Sequence, residues 1–306
     1  MILIKFKNFF ALMILSFALT ACEASTTSAN SQQPRGLYTY YFGGIEDMEV
    51  DAAVEMLDNL GYAGIAVGAR SEAERERLSD FYQESDKKGD SFNVVSTMMA
   101  HRFNQYGFSD ADHKAAIDAM EGKDGNLWVW VRDGKPDGSV TDEKVEKFIR
   151  GILDYAVSKG VKVILYPHYN TYFPTTEDAL ILVKKINHPS LGVSINLCHE
   201  LMSDKGSIAA LKQTFAKAKG YIANVIISGS LIELDRTNVR TMNESTIHSL
   251  DDSPYDLRPF MRLIKDSDYQ GPVGFINFKL PNPQDYLART IKRWKELCRE
   301  VGLYKT

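Results

Sequence analysis

Apolar stretches alternate with amphipathic stretches along the chain from residue 37 onward. Most of the apolar stretches are continuous, which is typical of strands that are buried on both faces of a parallel sheet. The pattern predicts eight strands, each followed by a helix. The predicted strands are residues 37–42, 63–68, 92–98, 126–131, 161–167, 191–197, 223–229 and 273–278.

The amphipathic stretches carry signals that begin and end helices. Segment 142–159 follows Thr141, a residue type that caps helix N termini, and Gly160 comes directly after it. The last helix is predicted to have Asn282 as its cap and to end at Gly302. The other predicted helices are residues 47–60, 72–88, 110–121, 176–188, 206–219 and 257–266.

This succession of strand–helix units predicts one α/β domain, a (β/α)8 TIM barrel over residues 36–306. A doubly wound open sheet is the alternative. Two long connections, residues 99–109 and 230–256, leave predicted strands at their C-terminal ends. Active sites of such barrels form at that face, and long loops in compact domains are usually functional. We therefore expect the functional site there.

The first residues have the pattern of an export signal. A short segment with two lysines precedes an apolar run at residues 9–19, which is too short to span about 30 Å of hydrocarbon. The run ends in Leu-Thr-Ala-Cys, which resembles the bacterial lipoprotein box. The resemblance implies that residues 1–21 are a signal peptide and that lipid on Cys22 anchors the protein in the cell envelope. An ordinary signal peptide before a chance cysteine is the alternative.

Composition and charge refine this picture. Residues 22–35 are rich in Ser, Thr, Ala and Gln, which predicts a flexible tether. The formal net charge is −4, and removal of the two lysines with residues 1–21 leaves −6. An acidic protein does not fit a phosphate backbone, so we expect a small polar molecule and no nucleic acid as its partner. Cys198 and Cys298 are predicted to be buried thiols, and a disulfide is the alternative.

Two histidine motifs come at the ends of predicted strands. They are Tyr166-Pro167-His168 and Asn196-Leu197-Cys198-His199, within the stretch 161–200. This stretch resembles the sugar-phosphate isomerase/epimerase family of xylose-isomerase-like TIM barrels, and within it an envelope lipoprotein branch. Residues 37–67 and 267–297 resemble the same family, so that the resemblance covers about residues 37–302. It implies an enzyme that acts on a carbohydrate.

The resemblance also implies a metal site, which this sequence lacks. Metal-dependent members are expected to hold a divalent ion with Glu, Asp, His and Glu at four strand ends. The matching positions here fall near Pro167, Asn196, Ser228 and Asn277. Hard divalent cations prefer carboxylates, so we predict that the usual site is absent or weak and that no cofactor is needed. A rearranged metal site of His168, His199 and Glu233 is the alternative.

The family's chemistry moves a proton on the carbon next to a carbonyl group. It needs a base and a group that stabilises the enolate oxygen. We predict catalytic roles for His168, His199 and Glu200, and substrate binding by Arg132, Asn170, Asn196, Asn277 and Lys279. Structural roles stay open for all of them, as strand-end anchors or as solvated charges. Aromatic residues could stack on a sugar ring or pack the core; these are Tyr40, Phe42, Trp130, Tyr166, Tyr169 and Tyr172.

Two functions follow from this pattern. The first is an envelope enzyme, an isomerase, epimerase or lyase, that acts on a carbohydrate or keto-sugar derivative by proton abstraction next to a carbonyl. The second is a non-catalytic carbohydrate-binding lipoprotein with a degenerate metal site. A nuclease of the same superfamily would need metal ligands and a basic channel, and this acidic chain has neither. The sugar and the oligomeric state stay open.

Overall fold

A computed structural model describes residues 33–103, 109–133, 140–280 and 282–305. Its eight strands close into a barrel in sequence order, from β1 round to β8. The predicted TIM barrel is therefore confirmed, and the open sheet is wrong. The strands are β1 (Leu37–Tyr40), β2 (Gly64–Gly68), β3 (Asn93–His101), β4 (Asn126–Val131), β5 (Lys162–Leu165), β6 (Leu191–Asn196), β7 (Ile222–Ile227) and β8 (Val273–Phe275).

Every neighbouring pair of strands is parallel, including the closing pair, in which Leu37 of β1 lies opposite Val273 of β8. The register shifts once between β2 and β3 and once between β6 and β7. Because all strands run the same way, their C-terminal ends meet at one face of the barrel. That face therefore holds the residues that the sequence analysis singled out.

Ten α-helices lie within the described residues, and eight of them were predicted. Two short helices, α6 and α8, were not predicted. The helices are α1 (Val50–Leu60), α2 (Glu72–Lys88), α3 (Asp110–Met120), α4 (Asp142–Ser158), α5 (Thr176–Ile186), α6 (Leu197–Met202), α7 (Ile208–Ala218), α8 (Val239–Thr246), α9 (Arg258–Asp266) and α10 (Pro283–Val301).

The predicted helix ends are confirmed where the sequence named them. The Thr141 side chain accepts a hydrogen bond from the backbone N–H of Lys144 at 3.2 Å, which caps α4. Asn282 caps α10 in the same way, and Gly302 ends it with a φ of 72°, a left-handed conformation that favours glycine.

The barrel begins slightly before the predicted boundary. Pro34 pairs with Tyr304, and Arg35 is buried and donates to the carbonyl oxygens of Tyr304 and Tyr269. The last two residues of the predicted tether therefore pack against the barrel. The predicted signal peptide and Cys22 lie outside the described residues. Within them, Cys198 and Cys298 are buried free thiols, and no helix is long and apolar enough to cross a membrane.

The long connection after β7 contains α8, which packs over α6. The guanidinium of Arg236 in this connection donates to the carbonyl oxygens of Leu201 and Met202 at the end of α6, at 3.2 and 2.8 Å. Met202 of α6 and Met242 of α8 are buried in one apolar cluster. These two helices therefore cover the ends of β6 to β8, where Asn196, Ser228 and Asn277 are buried.

Candidate active site

A cavity of about 470 Å³ opens at the C-terminal face of the barrel. It lies beside the cover formed by α6 and α8, at the ends of β1 to β5 and beside Ile276 after β8. Four charged residues line it as well, namely Glu46, Arg70, Glu74 and Arg77. Its aromatic lining residues are Tyr40, Tyr41, Phe42, Trp128, Trp130, Tyr166 and His168.

The aromatic side chains form a continuous wall. Trp128 stacks on Tyr166 with ring centroids 5.1 Å apart and an angle of 18° between the planes. Trp130 stacks on His168 at 4.4 Å and 15°, and Tyr40 lies 5.4 Å from Trp128. Ligand pockets typically have apolar and aromatic walls and a few polar groups that orient the ligand. This wall suits the apolar face of a sugar ring.

His168 supplies a proton acceptor in this cavity. Its Nδ1 lies 2.8 Å from the carbonyl oxygen of Tyr169. A carbonyl oxygen only accepts hydrogen bonds, so Nδ1 carries the proton and Nε2 holds a lone pair. No described residue bonds to Nε2. Burial lowers the pKa of His168 to about 4, and the charge of Arg132 acts in the same direction. The ring is therefore neutral at neutral pH.

His199 lies against His168, with the ring centroids 4.0 Å apart. The two histidine motifs, at the ends of neighbouring strands, are therefore in contact. His199 is only 2% exposed, does not line the cavity, and has no partner for either ring nitrogen among the described residues. Burial and the nearby His168 lower its pKa well below the usual range. His199 is therefore a positioning residue for His168 and does not touch the cavity.

Tyr166 holds a hydroxyl group at the cavity wall. The amide Nδ2 of Asn196 donates to the Tyr166 hydroxyl at 2.7 Å, and Oδ1 of Asn196 accepts from the backbone N–H of Cys198 at 3.2 Å. Because its oxygen already accepts, the Tyr166 hydroxyl has its own proton to donate. Burial raises the pKa of Tyr166, so the hydroxyl stays protonated. Asn196 was predicted to bind substrate, and the structure instead shows it orienting this hydroxyl.

Glu200 does not line the cavity. Its Oε1 accepts a hydrogen bond from the backbone N–H of Thr176, the first residue of α5, at 2.8 Å. It is 1% exposed, and burial raises its pKa. The structure therefore gives Glu200 a structural contact and does not place it with His168 in the cavity. The reason is α6, which begins directly after β6 and turns Glu200 away from the barrel mouth, toward the positive end of α5.

Replacement of Glu200 with alanine is expected to lower the free energy of unfolding by about 1–3 kcal/mol, because a buried backbone donor at the start of α5 loses its acceptor. Glu200→Gln keeps an oxygen acceptor and should cost less. Urea denaturation of the two variants and the native protein measures both values. Equal stability of all three proteins would contradict the assigned role.

Three of the predicted substrate-binding residues also lie elsewhere. Asn277 is fully buried, and its Nδ2 donates to the carbonyl oxygens of Phe42 at 2.6 Å and Tyr40 at 3.4 Å, which fastens β8 to β1. Lys279 is exposed and pairs with Glu244 at 3.1 Å. Asn170 is exposed in a turn with a φ of 60°. None of the three lines the cavity.

Comparison with protein-family models identifies the family of this chain. The family model described as "Xylose isomerase-like TIM barrel" matches residues 54–297. The chain belongs to this family. The predicted resemblance to xylose-isomerase-like barrels is thereby confirmed. No curated protein matches the chain.

Solved structures of similar fold include three proteins that match most of this chain. The IOLI protein with a binding zinc atom is 16% identical, and the match covers 89% of this chain and 99% of that chain with a TM-score of 0.65. The probable 3-DHS dehydratase AsbF from Bacillus anthracis is 12% identical, and the match covers 84% of this chain and 97% of that chain with a TM-score of 0.66. The 3-keto-D-glucoside 4-epimerase YcjR from E. coli is 12% identical, and the match covers 86% of this chain and 100% of that chain with a TM-score of 0.64. At these identities the likeness shows the fold.

The side chains of this xylose isomerase-like barrel do not fit a divalent metal at the four expected strand ends. The amide groups of Asn196 and Asn277 donate hydrogen bonds to other protein groups. The Ser228 hydroxyl donates to the carbonyl oxygen of Thr246 at 2.8 Å. The alternative site is not formed either, because Glu233 is exposed. Across the described residues, no three His, Cys, Asp or Glu side chains are arranged to hold a metal ion.

Several residues of this xylose isomerase-like barrel were missed from the sequence. Trp128 was assigned only to a buried strand, Glu74 and Arg77 only to a helix, and Arg70 to no element. A positional signal was present, because Gly68 to Arg70 directly follow β2 at the face where sites form. The Tyr166 hydroxyl was missed as a hydrogen-bond donor because its orientation depends on Asn196 of the next strand.

Proposed function

We propose that this chain is an enzyme that acts on a carbohydrate or keto-sugar derivative by taking a proton from the carbon next to a carbonyl group. One observation carries the proposal, namely the neutral His168 with an unpartnered Nε2 in an aromatic cavity at the active face of the barrel. Two proteins of similar fold, a 3-keto-D-glucoside 4-epimerase and a probable 3-DHS dehydratase, support it. Isomerisation, epimerisation and elimination all begin with this step.

In the proposed reaction, Nε2 of His168 takes the proton, and the C–H electron pair becomes the carbon–carbon double bond of an enolate. The carbonyl electrons move to the oxygen, where the Tyr166 hydroxyl donates a hydrogen bond or its proton. Asn196 holds that hydroxyl in place. Return of a proton to the opposite face of the same carbon completes an epimerisation. Return to the former carbonyl carbon, with loss of the hydroxyl proton from the first carbon to form the new carbonyl group, completes an isomerisation. The chain's own neutral groups perform each of these steps.

A non-catalytic carbohydrate-binding protein is the second candidate. One observation favours it, because the carboxylates in the cavity lining are already engaged at its rim. Glu74 accepts hydrogen bonds from Arg70, and Glu46 accepts from the backbone N–H of Gly44 at 2.6 Å. A binding protein would need only the aromatic wall, whereas the enzyme needs His168 and Tyr166 as well.

Solvent deuterium exchange separates the two candidates. The purified protein is incubated in deuterated water with aldoses, ketoses and 3-keto glycosides, and NMR follows loss of the signal from the carbon-bound proton next to the carbonyl. We expect exchange with at least one of these sugars. Binding of a sugar by calorimetry without any exchange would favour the binding protein. If the protein neither binds a sugar nor exchanges a proton, both candidates are overturned.

We also propose, from the sequence alone, that the enzyme works in the cell envelope and is held on a membrane by lipid at Cys22. The lipoprotein box at the end of the apolar run supports this location. Mass spectrometry of the mature protein tests it. An unmodified Cys22, or a mature chain that begins elsewhere, would contradict it.

A further inference from the structure

Arg132 lies beside the cavity without a carboxylate partner. It follows β4, and its Cζ is 4.8 Å from the centroid of the Trp130 ring, which lines the cavity. Its backbone N–H donates to the carbonyl oxygen of His101 at 2.9 Å, which fixes where the side chain begins. Among the described residues, the half-buried guanidinium contacts the Trp130 ring but makes no ion pair and no side-chain hydrogen bond.

Charges around Arg132 leave it in a positive environment. Burial lowers its pKa, and the charges of Arg102 and Arg70 act in the same direction, while Asp133 opposes them. The nearby acids have other donors. Glu74 accepts from both the backbone and the guanidinium of Arg70, and Asp133 accepts from the backbone N–H of Phe103 at 2.8 Å. The guanidinium of Arg132, which no described acid pairs with, can therefore attract an anion to the site.

We propose that Arg132 binds a carboxylate group of the substrate, and that the substrate class is therefore an acidic sugar. This inference rests on the proposed function of the cavity. The guanidinium is a planar fork that matches the two oxygens of a carboxylate. Trp130 lies next to that fork and lines the cavity, so that a substrate in the cavity can reach the guanidinium. A phosphate group would meet the same fork, and the experiment separates the two anions.

The same placement would assist the proposed proton transfer. His168 stacks on Trp130, the ring that Arg132 also contacts. When His168 takes a proton it becomes a cation, and the nearby charge of Arg132 opposes this. A carboxylate bound to Arg132 offsets that charge. An acidic sugar is therefore expected to make His168 a stronger base than a neutral sugar does.

Calorimetry with three ligands that differ only at one carbon tests the proposal. The ligands are galactose, galacturonate and galactose 6-phosphate, each titrated into the purified protein. We expect galacturonate to bind at least about tenfold more tightly than galactose, as one charge-assisted bidentate contact allows. Arg132→Gln should remove this preference, so that the variant binds galacturonate and galactose with affinities within about twofold of each other.

Arg150→Gln is the matched control. Arg150 is an exposed residue of α4 that pairs with Glu146 at 2.9 Å, so the variant loses the same charge away from the cavity. It should keep the preference for galacturonate. The proposal is overturned if the native protein binds no galacturonate, if it binds galactose equally well, or if Arg132→Gln keeps the preference. A preference for galactose 6-phosphate that depends on Arg132 assigns a phosphate group and overturns the carboxylate.

Failure of this inference can be told apart from failure of the proposed function. Calorimetry measures binding without turnover, whereas deuterium exchange measures proton transfer. Binding of galacturonate through Arg132 in a protein that exchanges no proton would leave the acidic-sugar site standing and remove the enzyme. Exchange on galacturonate that is no faster than exchange on galactose, and equally fast in Arg132→Gln, would leave the enzyme standing and remove the acidic-sugar site.

Discussion

Replacement of His168 with glutamine is expected to slow deuterium exchange by about 10²–10⁴-fold, the usual contribution of a general base. Glutamine can still bond to the carbonyl oxygen of Tyr169, but its amide cannot accept the proton. The affinity for the sugar should change by less than about threefold, because Trp128 and Trp130 still form the wall. NMR exchange rates and calorimetry on the same preparation measure the two quantities.

The fall of the exchange rate at low pH, its acid limb, gives a second test of His168 as the base. Its pKa is lowered to about 4, so the ring is a neutral base above that pH and is protonated below it. The native exchange rate should therefore be level near neutral pH and fall as the pH drops through about 4. This limb should be absent from the residual rate of His168→Gln.

His188→Gln is the matched control for this substitution. His188 precedes β6 at the opposite end of the barrel, where its Nδ1 accepts from the backbone N–H of Ser190 at 3.1 Å. Its exchange rate should equal that of the native protein. A His168→Gln protein that binds sugar and exchanges at the native rate would remove His168 from the mechanism.

Tyr166→Phe is expected to lower kcat by about 10²–10³-fold with little change in KM, as loss of a donor to a developing oxyanion does. The substitution removes only the hydroxyl and keeps the ring that stacks on Trp128. It also leaves Nδ2 of Asn196 unpaired, so that stability should fall by about 1–3 kcal/mol. Steady-state kinetics and urea denaturation together separate the two effects.

Tyr62→Phe controls for the loss of stability. The Tyr62 hydroxyl is also buried and donates to the carbonyl oxygen of Leu287 at 3.0 Å, but Tyr62 does not line the cavity. This variant should lose comparable stability and keep the native kcat. If the two variants lose kcat equally, the effect on Tyr166 is one of folding, and its hydroxyl is not the electrophile.

The sequence was sufficient to predict the barrel because the signal is repeated. Eight apolar strands and eight amphipathic helices indicate the same layout, and Thr141 and Asn282 occupy the cap positions that the pattern gave them. The meeting of His168 and His199 followed from the same rule, since neighbouring parallel strands end at one face.

The direction of individual side chains could not be predicted. Glu200 was expected at the mouth because a loop was assumed after β6. Helix α6 has only six residues, too few for a hydrophobic period to be recognised, and it turns Glu200 toward α5. Trp128 was read as core because the pattern of a buried strand does not reveal an open space inside the barrel end.

Helices α6 and α8 also bear on whether a metal site could be introduced at these strand ends. Met202 and Met242 are apolar and buried above β6 to β8, and Asn196 and Asn277 beneath them are almost fully buried. Carboxylates introduced at Asn196 and Asn277 would be like charges in a dry, closed space, without room for the water that a hard cation keeps. An engineered metal site would therefore require a different cover as well as different ligands.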